Sequence, residues 1–553
     1  MHRRILTLLA LALALTVPSF AQEHADHAAP AKAKSAVLMT GYGNWHHPVS
    51  TKNTQAQAFF DQGLRQIYAF NHDEAARSFQ RATELDPKLA MAYWGIAEAV
   101  GPNYNDPASD DRFRQAHEAI QKAVALEAGA SQAERDYIQA MAKRFPGGPT
   151  ADRRPAAEAY RDAMREVMRQ YPDDVDAATL FAESAMNLHP WGLWHQDGTP
   201  EEGTEEIVTT LESVIRRDPD HMGAIHYYIH AVEASPNPER ALAGASRLAA
   251  MAPAAGHLVH MPAHIYVRTG DYQAAVSTNE KAAAADEAYI RASGAQGIYP
   301  MMYYSHNLHF IALFAAMDGD YASSTKAADR LAAHVAPYVK QMPPLEAFMT
   351  IPMAVDVRFR RWNDILQMQP PDPEMKTATV FYHFARGMAL ASTGKVSEAE
   401  AEYRIVSQAR QDTPPDQIFA MPVNNKTKDI LTIAQDVLGA KIALAKKDNA
   451  KAIKLLREAV VVQDSLNYDE PPDWFFPVRE SLGAVLLVSG NAVEAESVFR
   501  QDLQRNPRNP RSLFGLEQAL KAQKRDYDAQ FVEKLFQSSW KGGKTDLTLE
   551  SLV

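Results

Sequence analysis

Apolar residues along most of this 553-residue chain recur at helical spacing, and no stretch alternates strictly between apolar and polar positions. That periodicity predicts amphipathic helices and no strands. Residues 56–87, AQAFFDQGLRQIYAFNHDEAARSFQRATELDP, read as two helices joined by a short turn, and comparable units follow down to Pro510. Abundant Ala and other helix-forming residues agree with this pattern. The amino terminus departs from it. MHRRILTLLALALALTVPSFAQ places Arg3 and Arg4 before an apolar run from Ile5 to Val17, then Ser19-Phe20-Ala21. This is the layout of a cleavable secretory signal, and the run is too short to span a bilayer. The expectation is a signal peptide over residues 1–21 and a periplasmic or secreted mature chain with no transmembrane segment.

The units share a frame. In the first, Gly63 stands at position 8, Ala75 at 20, Phe79 at 24, Ala82 at 27 and Pro87 at 32, with Gln66 at position 11. A unit starting at Met222 has Ala241, Leu248 and Pro253 in register, and one starting at Gly256 has Ala263, Gly270, Tyr272, Ala275 and Ala282. A third starts at Ser305 with Ala312, Gly319, Tyr321 and Leu331, and Gly387, Gly394, Ala440, Ala452, Gly483 and Ala495 continue the series. This frame resembles the tetratricopeptide repeat (TPR). The resemblance covers most of the chain and implies an all-α, superhelical solenoid of roughly ten helix-turn-helix repeats. In such a solenoid neighbouring units bury the faces that one unit alone cannot. The organisation expected is a flexible leader over 22–53, a solenoid over 54–540 and a tail over 541–553. Insertions at 187–203, 286–304 and 407–428 interrupt the array.

Histidine placement makes the strongest chemical signal. HYYIHAVE (226–233), HLVHMPAHIY (257–266) and SHNLHF (305–310) hold seven histidines spaced three or four apart within a His-rich segment, 221–310. Such spacing puts each set on one helix face. Counted in the repeat frame, His257 and His306 fall at position 2, His226, His260 and His309 at position 5, and His230 and His264 at position 9. In TPR proteins these positions line the concave groove, so the resemblance implies that all seven imidazoles face one groove. Glu233 completes the column His226, His230, Glu233. Glu183, one unit earlier, is a further carboxylate candidate. His189, Trp191, Trp194 and His195 in the Trp-rich insertion, with Tyr266 and Asn307, are candidate ligand-contacting or supporting groups. Asn279 occupies position 24, where an aromatic normally packs, and is expected to hydrogen-bond a groove histidine.

Three readings follow. The groove holds a transition metal, with Zn, Fe, Cu or Mn compatible with imidazole and carboxylate ligands; it binds a protein, peptide or small-molecule ligand without metal; or the histidines are simply packed and satisfied. If metal is present, the chain is either a binding protein or a metal-dependent enzyme with Glu233 or Glu183 as ligand or base. Met261, Met301 and Met302 near the histidines are soft ligands or helix filler. HExxH, a phosphate-binding Gly loop and a GxSxG elbow are all missing from the sequence.

Charge and cysteine content narrow the partners. Without residues 1–21 the chain has 55 basic and 68 acidic residues, no basic footprint for nucleic acid. Cysteine is absent, which excludes disulfides and a thioether lipid anchor. The block HYYIHAVEASPNPERALAGASRL with AAGHLVHMPAHIYVRTGDY and YYSHNLHF is similar to one in a subgroup of exported bacterial TPR proteins, a resemblance that implies fold and export only.

Overall fold

The computed structural model describes residues 36–147, 152–420, 422–543 and 547–553. The first predicted unit forms the helices Thr54–Tyr68 and His72–Leu85. Asn53 and Asn71 cap them, their side chains accepting first-turn N–H groups. A Cβ on Gly63 would lie 2.6 Å from the Phe79 ring, and one on Gly95 in the next unit 2.4 Å from it. Small residues on both sides thus admit one large ring between neighbouring units, which is the packing the repeat frame encodes.

The described residues form twelve such helix pairs from Thr54 to Ser539. Short pairs such as Ile351–Arg358 with Trp362–Gln367 take the number past the roughly ten expected. The fold is all-α and TPR-like: among the described residues there are isolated bridges but no strand. Among the described residues no helix is long and apolar enough to cross a membrane.

The array winds back on itself around its middle. The Tyr68 carbonyl accepts a hydrogen bond from His226, Asn105 bonds Tyr303, and Gln196 donates to the Ser465 and Leu466 carbonyls. As a result every residue of helix Met222–Glu233 is buried. A helix buried on all sides is a core element and not the wall of an open groove. The concave face that the repeat frame predicts is filled at its centre.

One terminal expectation changes. The leader expected to be flexible over 22–53 is held in place from residue 36 onward. His47 Nδ1 lies 2.7 Å from Asp176 Oδ2, and Ser50 N–H donates to Glu134 over 2.6 Å. Asp176 also accepts from Trp45 Nε1 at 3.0 Å and Tyr68 Oη at 2.5 Å, with His221 Nε2 at 3.2 Å. At the other end the tail docks: Lys441 Nζ donates to the Val553 carbonyl and Arg511 to that of Ser551. Residues 1–21, where the export signal is expected, lie outside the described residues.

Candidate metal centre

Three buried helical segments carry the imidazoles: Met222–Glu233, Gly256–Thr269 and Tyr304–Asp318. The second is interrupted at Met261, because Pro262 has no N–H to continue the ladder. Its start depends on Gly256, where a Cβ would lie 1.8 Å from Asp286 Oδ1; no larger residue fits. Asp286 is in turn fixed by Tyr299 Oη at 2.9 Å and Asn307 Nδ2 at 2.7 Å. Asn307 therefore supports the backbone beside His257 and touches no imidazole nitrogen.

Six of the seven histidines gather into two triads. His226, His230 and His257 form one, and His260, His264 and His306 the other; within each, one nitrogen per ring lies within 4.8 Å of the other two. His226 Nε2 is 3.0 Å from His257 Nε2, and His260 Nε2 is 2.8 Å from His264 Nε2. His226, His260 and His264 are 0 % exposed. His309 joins neither triad. It lies about 60° round the helix from His306, its ring faces Phe348 and Phe475, and its Nε2 is buried without a partner.

The outer partners fix the protons. His226 Nδ1 is 2.7 Å from the Tyr68 carbonyl at a helix C-terminus, an acceptor that the helix itself leaves unpaired. His230 Nδ1 is 2.7 Å from Glu233 Oε1. His264 Nδ1 is 2.6 Å from Glu233 Oε2, though off the line of a good hydrogen bond. Asn279 donates its Nδ2 to the Ala275 carbonyl at 2.9 Å, so its Oδ1 is what meets His260 Nδ1 at 2.8 Å. An acceptor opposite Nδ1 requires the proton there and leaves Nε2 as a lone pair in the neutral ring. Hence His226, His230 and His260 present Nε2 lone pairs, and that of His230 is buried with no partner.

Burial disfavours charge on five of the six rings. Burial, then the neighbouring imidazoles, pushes His226, His257, His260 and His306 well below the ordinary imidazole value. Burial lowers His230 too. Burial drives Glu233 upward, but His264 and His230 outweigh it and hold the carboxyl below the usual range. Glu233 is thus an anion seated between the triads with one oxygen on each. The expectation of Glu233 as a direct ligand gives way to a role as outer partner of two rings.

Aromatic rings close the site. Phe70 lies 4.5, 5.8 and 5.3 Å from the ring centroids of His226, His230 and His257. Phe310 lies 4.7, 5.1 and 4.9 Å from those of His260, His264 and His306. Trp191 packs 5.8 Å from His230 and donates its Nε1–H to Asn105; Trp194 donates to the Ala231 carbonyl at 2.8 Å. The Trp-rich insertion is therefore ordered against the centre through its tryptophans. Its histidines are not: His189 lies beside Arg154, and His195 is exposed next to Glu201.

Glu183 belongs elsewhere, in a buried group with Glu98, Arg144 and Tyr160, where burial pushes its carboxyl up to about 8. Tyr266 packs at the margin of an apolar cluster outside both triads. Met261 and Met301 are core filling.

The sequence reading missed the segment around Tyr468. Tyr468 Oη donates to Glu233 Oε2 at 3.2 Å, and Arg268 Nε donates to the Glu233 carbonyl at 2.9 Å. Tyr468 and Glu470 line a cavity of about 210 Å³ together with Arg268, Phe314 and Phe475. The signal available was a Pro-rich acidic and aromatic run between two repeats, YDEPPDWFFP (468–477).

No family model and no curated protein matches the chain. Among solved structures it is similar to the human IFIT1 dimer with m7Gppp-AAAA, at 14% identity over 88% of this chain and 91% of that one, with a TM-score of 0.33. It is also similar to the P58(IPK) TPR domain, at 11% identity over 85% of this chain and 98% of that one, with a TM-score of 0.22. Neither likeness bears on the imidazole centre.

Proposed function

We propose that this chain is an exported, helical-repeat protein whose buried imidazole centre binds transition-metal ions. One observation supports this most: His260 Nε2, left as a lone pair because Asn279 takes the ring's Nδ1 proton, faces His264 Nε2 at 2.8 Å, while His230 Nε2 beside them is buried with no partner. Nitrogen lone pairs gathered out of water call for a proton or a cation among them. Burial keeps His260 from supplying a proton. A metal answers the remaining need, and its tetrahedral ligand nitrogens at about 2.0–2.1 Å stand roughly 3.3 Å apart, a small opening from the distances observed.

Packed, satisfied histidines are a poorer account, because His230 Nε2 has no partner and an unmade buried hydrogen bond costs about 1–3 kcal/mol. A peptide-binding groove is poorer too, since its side chains need to be exposed. Imidazole-only triads favour copper or zinc over manganese, which prefers oxygen ligands. A metal-dependent enzyme is the second reading, favoured by the cavity at Tyr468 and Glu470 beside Glu233. Export rests on the sequence of residues 1–21, and the similar block in exported bacterial TPR proteins agrees with it.

The test is elemental analysis of the untagged mature protein beside a His230→Ala/His264→Ala double variant, with circular dichroism confirming that both are folded. Stoichiometric copper or zinc present in the parent and lost in the variant supports the proposal. Equal, substoichiometric metal in both after reconstitution refutes it.

A further inference from the structure

The two triads are separate sites and near neighbours. Each has three imidazoles and its own phenyl cap, Phe70 over one and Phe310 over the other. Across the boundary the His230 and His264 rings are 5.6 Å apart and those of His257 and His260 5.7 Å. Glu233 joins the halves, one oxygen on His230 and the other on His264.

We propose that the triads hold a pair of copper ions that binds dioxygen between them, an inference that rests on reading the centre as a metal site. The donor set is the first argument. Each ion is offered three imidazole nitrogens and neither thiolate nor carboxylate, a set that suits copper. A triad also leaves each ion a coordination position for an exogenous ligand.

Charge is the second argument. Glu233 is the sole carboxylate in contact with the six rings among the described residues, and it is already shared between two imidazoles. Two divalent ions would place four positive charges in a site walled by Phe70, Tyr104, Trp191 and Phe310, where five of the six rings are buried and His306 is partly exposed. Uncompensated buried charge is expensive, so the resting centre favours two Cu(I) ions, which bring two. Oxidation becomes tolerable when the oxidant leaves its own anion behind. Dioxygen does this: each Cu(I) gives up one electron, the oxygen–oxygen double bond becomes the single bond of peroxide, and 2 Cu(I) + O2 becomes 2 Cu(II) with a bridging O2²⁻. No proton moves and the total charge of the centre stays the same.

The experiment loads the mature protein with Cu(I) under anaerobic conditions, counts copper, and then admits oxygen while recording uptake, near-ultraviolet absorption and electron paramagnetic resonance. The parent is expected to hold two coppers per chain, and His226→Gln and His306→Gln, one substitution in each triad, one copper apiece. Oxygen should be taken up at one molecule per chain by the parent alone, giving a new near-ultraviolet band with no Cu(II) resonance because the paired spins cancel. Circular dichroism identifies a variant that has not folded, and the parent's stoichiometry and silent oxidised state remain decisive without it. Two zinc ions held with no retention of Cu(I), or Cu(I) held without oxygen uptake, would overturn the copper–dioxygen inference while leaving the metal site intact. Failure to hold any metal would overturn both.

Discussion

His260 and His264 face each other through Nε2 atoms 2.8 Å apart, and Asn279 Oδ1 holds the His260 proton on Nδ1 at the far side of the ring. Glu233 Oε2 stands 2.6 Å behind His264 Nδ1. The centre is therefore built as much by its outer partners as by the imidazoles, and the outer partners are where it can be tested without deleting a ligand.

Replacing Glu233 with Gln keeps the shape and removes the charge. The amide can accept from one ring but turns an N–H toward the other, opposing its Nδ1–H. Outer partners of metal-bound histidine are worth about 10–100-fold in affinity. Competition against a chelator should show a loss in that range for Glu233→Gln with the fold retained, and unchanged affinity would mean that Glu233 does not orient His230 and His264.

Asn279 makes the same case on the second triad alone. Asn279→Leu leaves His260 Nδ1–H buried and unpaired, costing about 1–3 kcal/mol of stability. In metal titrations of this variant one class of site should weaken while the other keeps its parent affinity. Equal weakening of both classes would show that the triads do not bind independently.

Acid should act on the metal-free protein through these rings. His226, His257, His260 and His306 are pushed well below the ordinary imidazole value, first by burial and then by their neighbours, and burial takes His309 to about 3. Their unfolded-state value is about 6.5, so below that pH the unfolded chain binds the extra protons. Stability is then full above about pH 6.5 and falls as pH drops, by up to about 1.4 kcal/mol per unit for each ring. The stability these rings contribute should decline steeply below about pH 6, with bound metal moving the decline to lower pH. A level profile down to pH 5 would contradict the burial of the centre.

The anchor of the leader titrates in the opposite sense. Burial disfavours charge on His47, but its hydrogen bond to Asp176 and that carboxylate's charge outweigh burial and raise the ring to about 9. This contribution is complete below about pH 6.5, the unfolded value, and is lost as pH rises through about 9. Limited proteolysis within residues 36–50 should accelerate above pH 9 in the parent. In His47→Ala it should be fast already at pH 7. Equal rates in the two proteins at pH 7 would refute the anchor.

The helical pairs, the position of the imidazoles on one face and the partnership of Asn279 with a histidine were all legible in the sequence, because each follows from periodicity within one or two units. Asn279 stood out because Phe79 fills the equivalent position in the first unit. Closure of the superhelix was not legible. Tyr68 reaches His226 across 158 residues and Tyr468 reaches Glu233 across 235, and no local pattern reports contacts at that range. The same blindness to closure put His309 and Glu183 with the other candidates, although the first turns to Phe475 and the second accepts a hydrogen bond from Asn187. Phe70 gave no signal either, since its role over the first triad follows from where the turn after the first helix falls.

The most direct measurement is a crystal structure of the copper- or zinc-loaded protein with anomalous diffraction collected at the metal's absorption edge. The account predicts one anomalous peak between His260 Nε2 and His264 Nε2 within reach of His306, and a second among His226, His230 and His257. Metal found only on surface carboxylates, with the six imidazoles packed against one another as before, would contradict it.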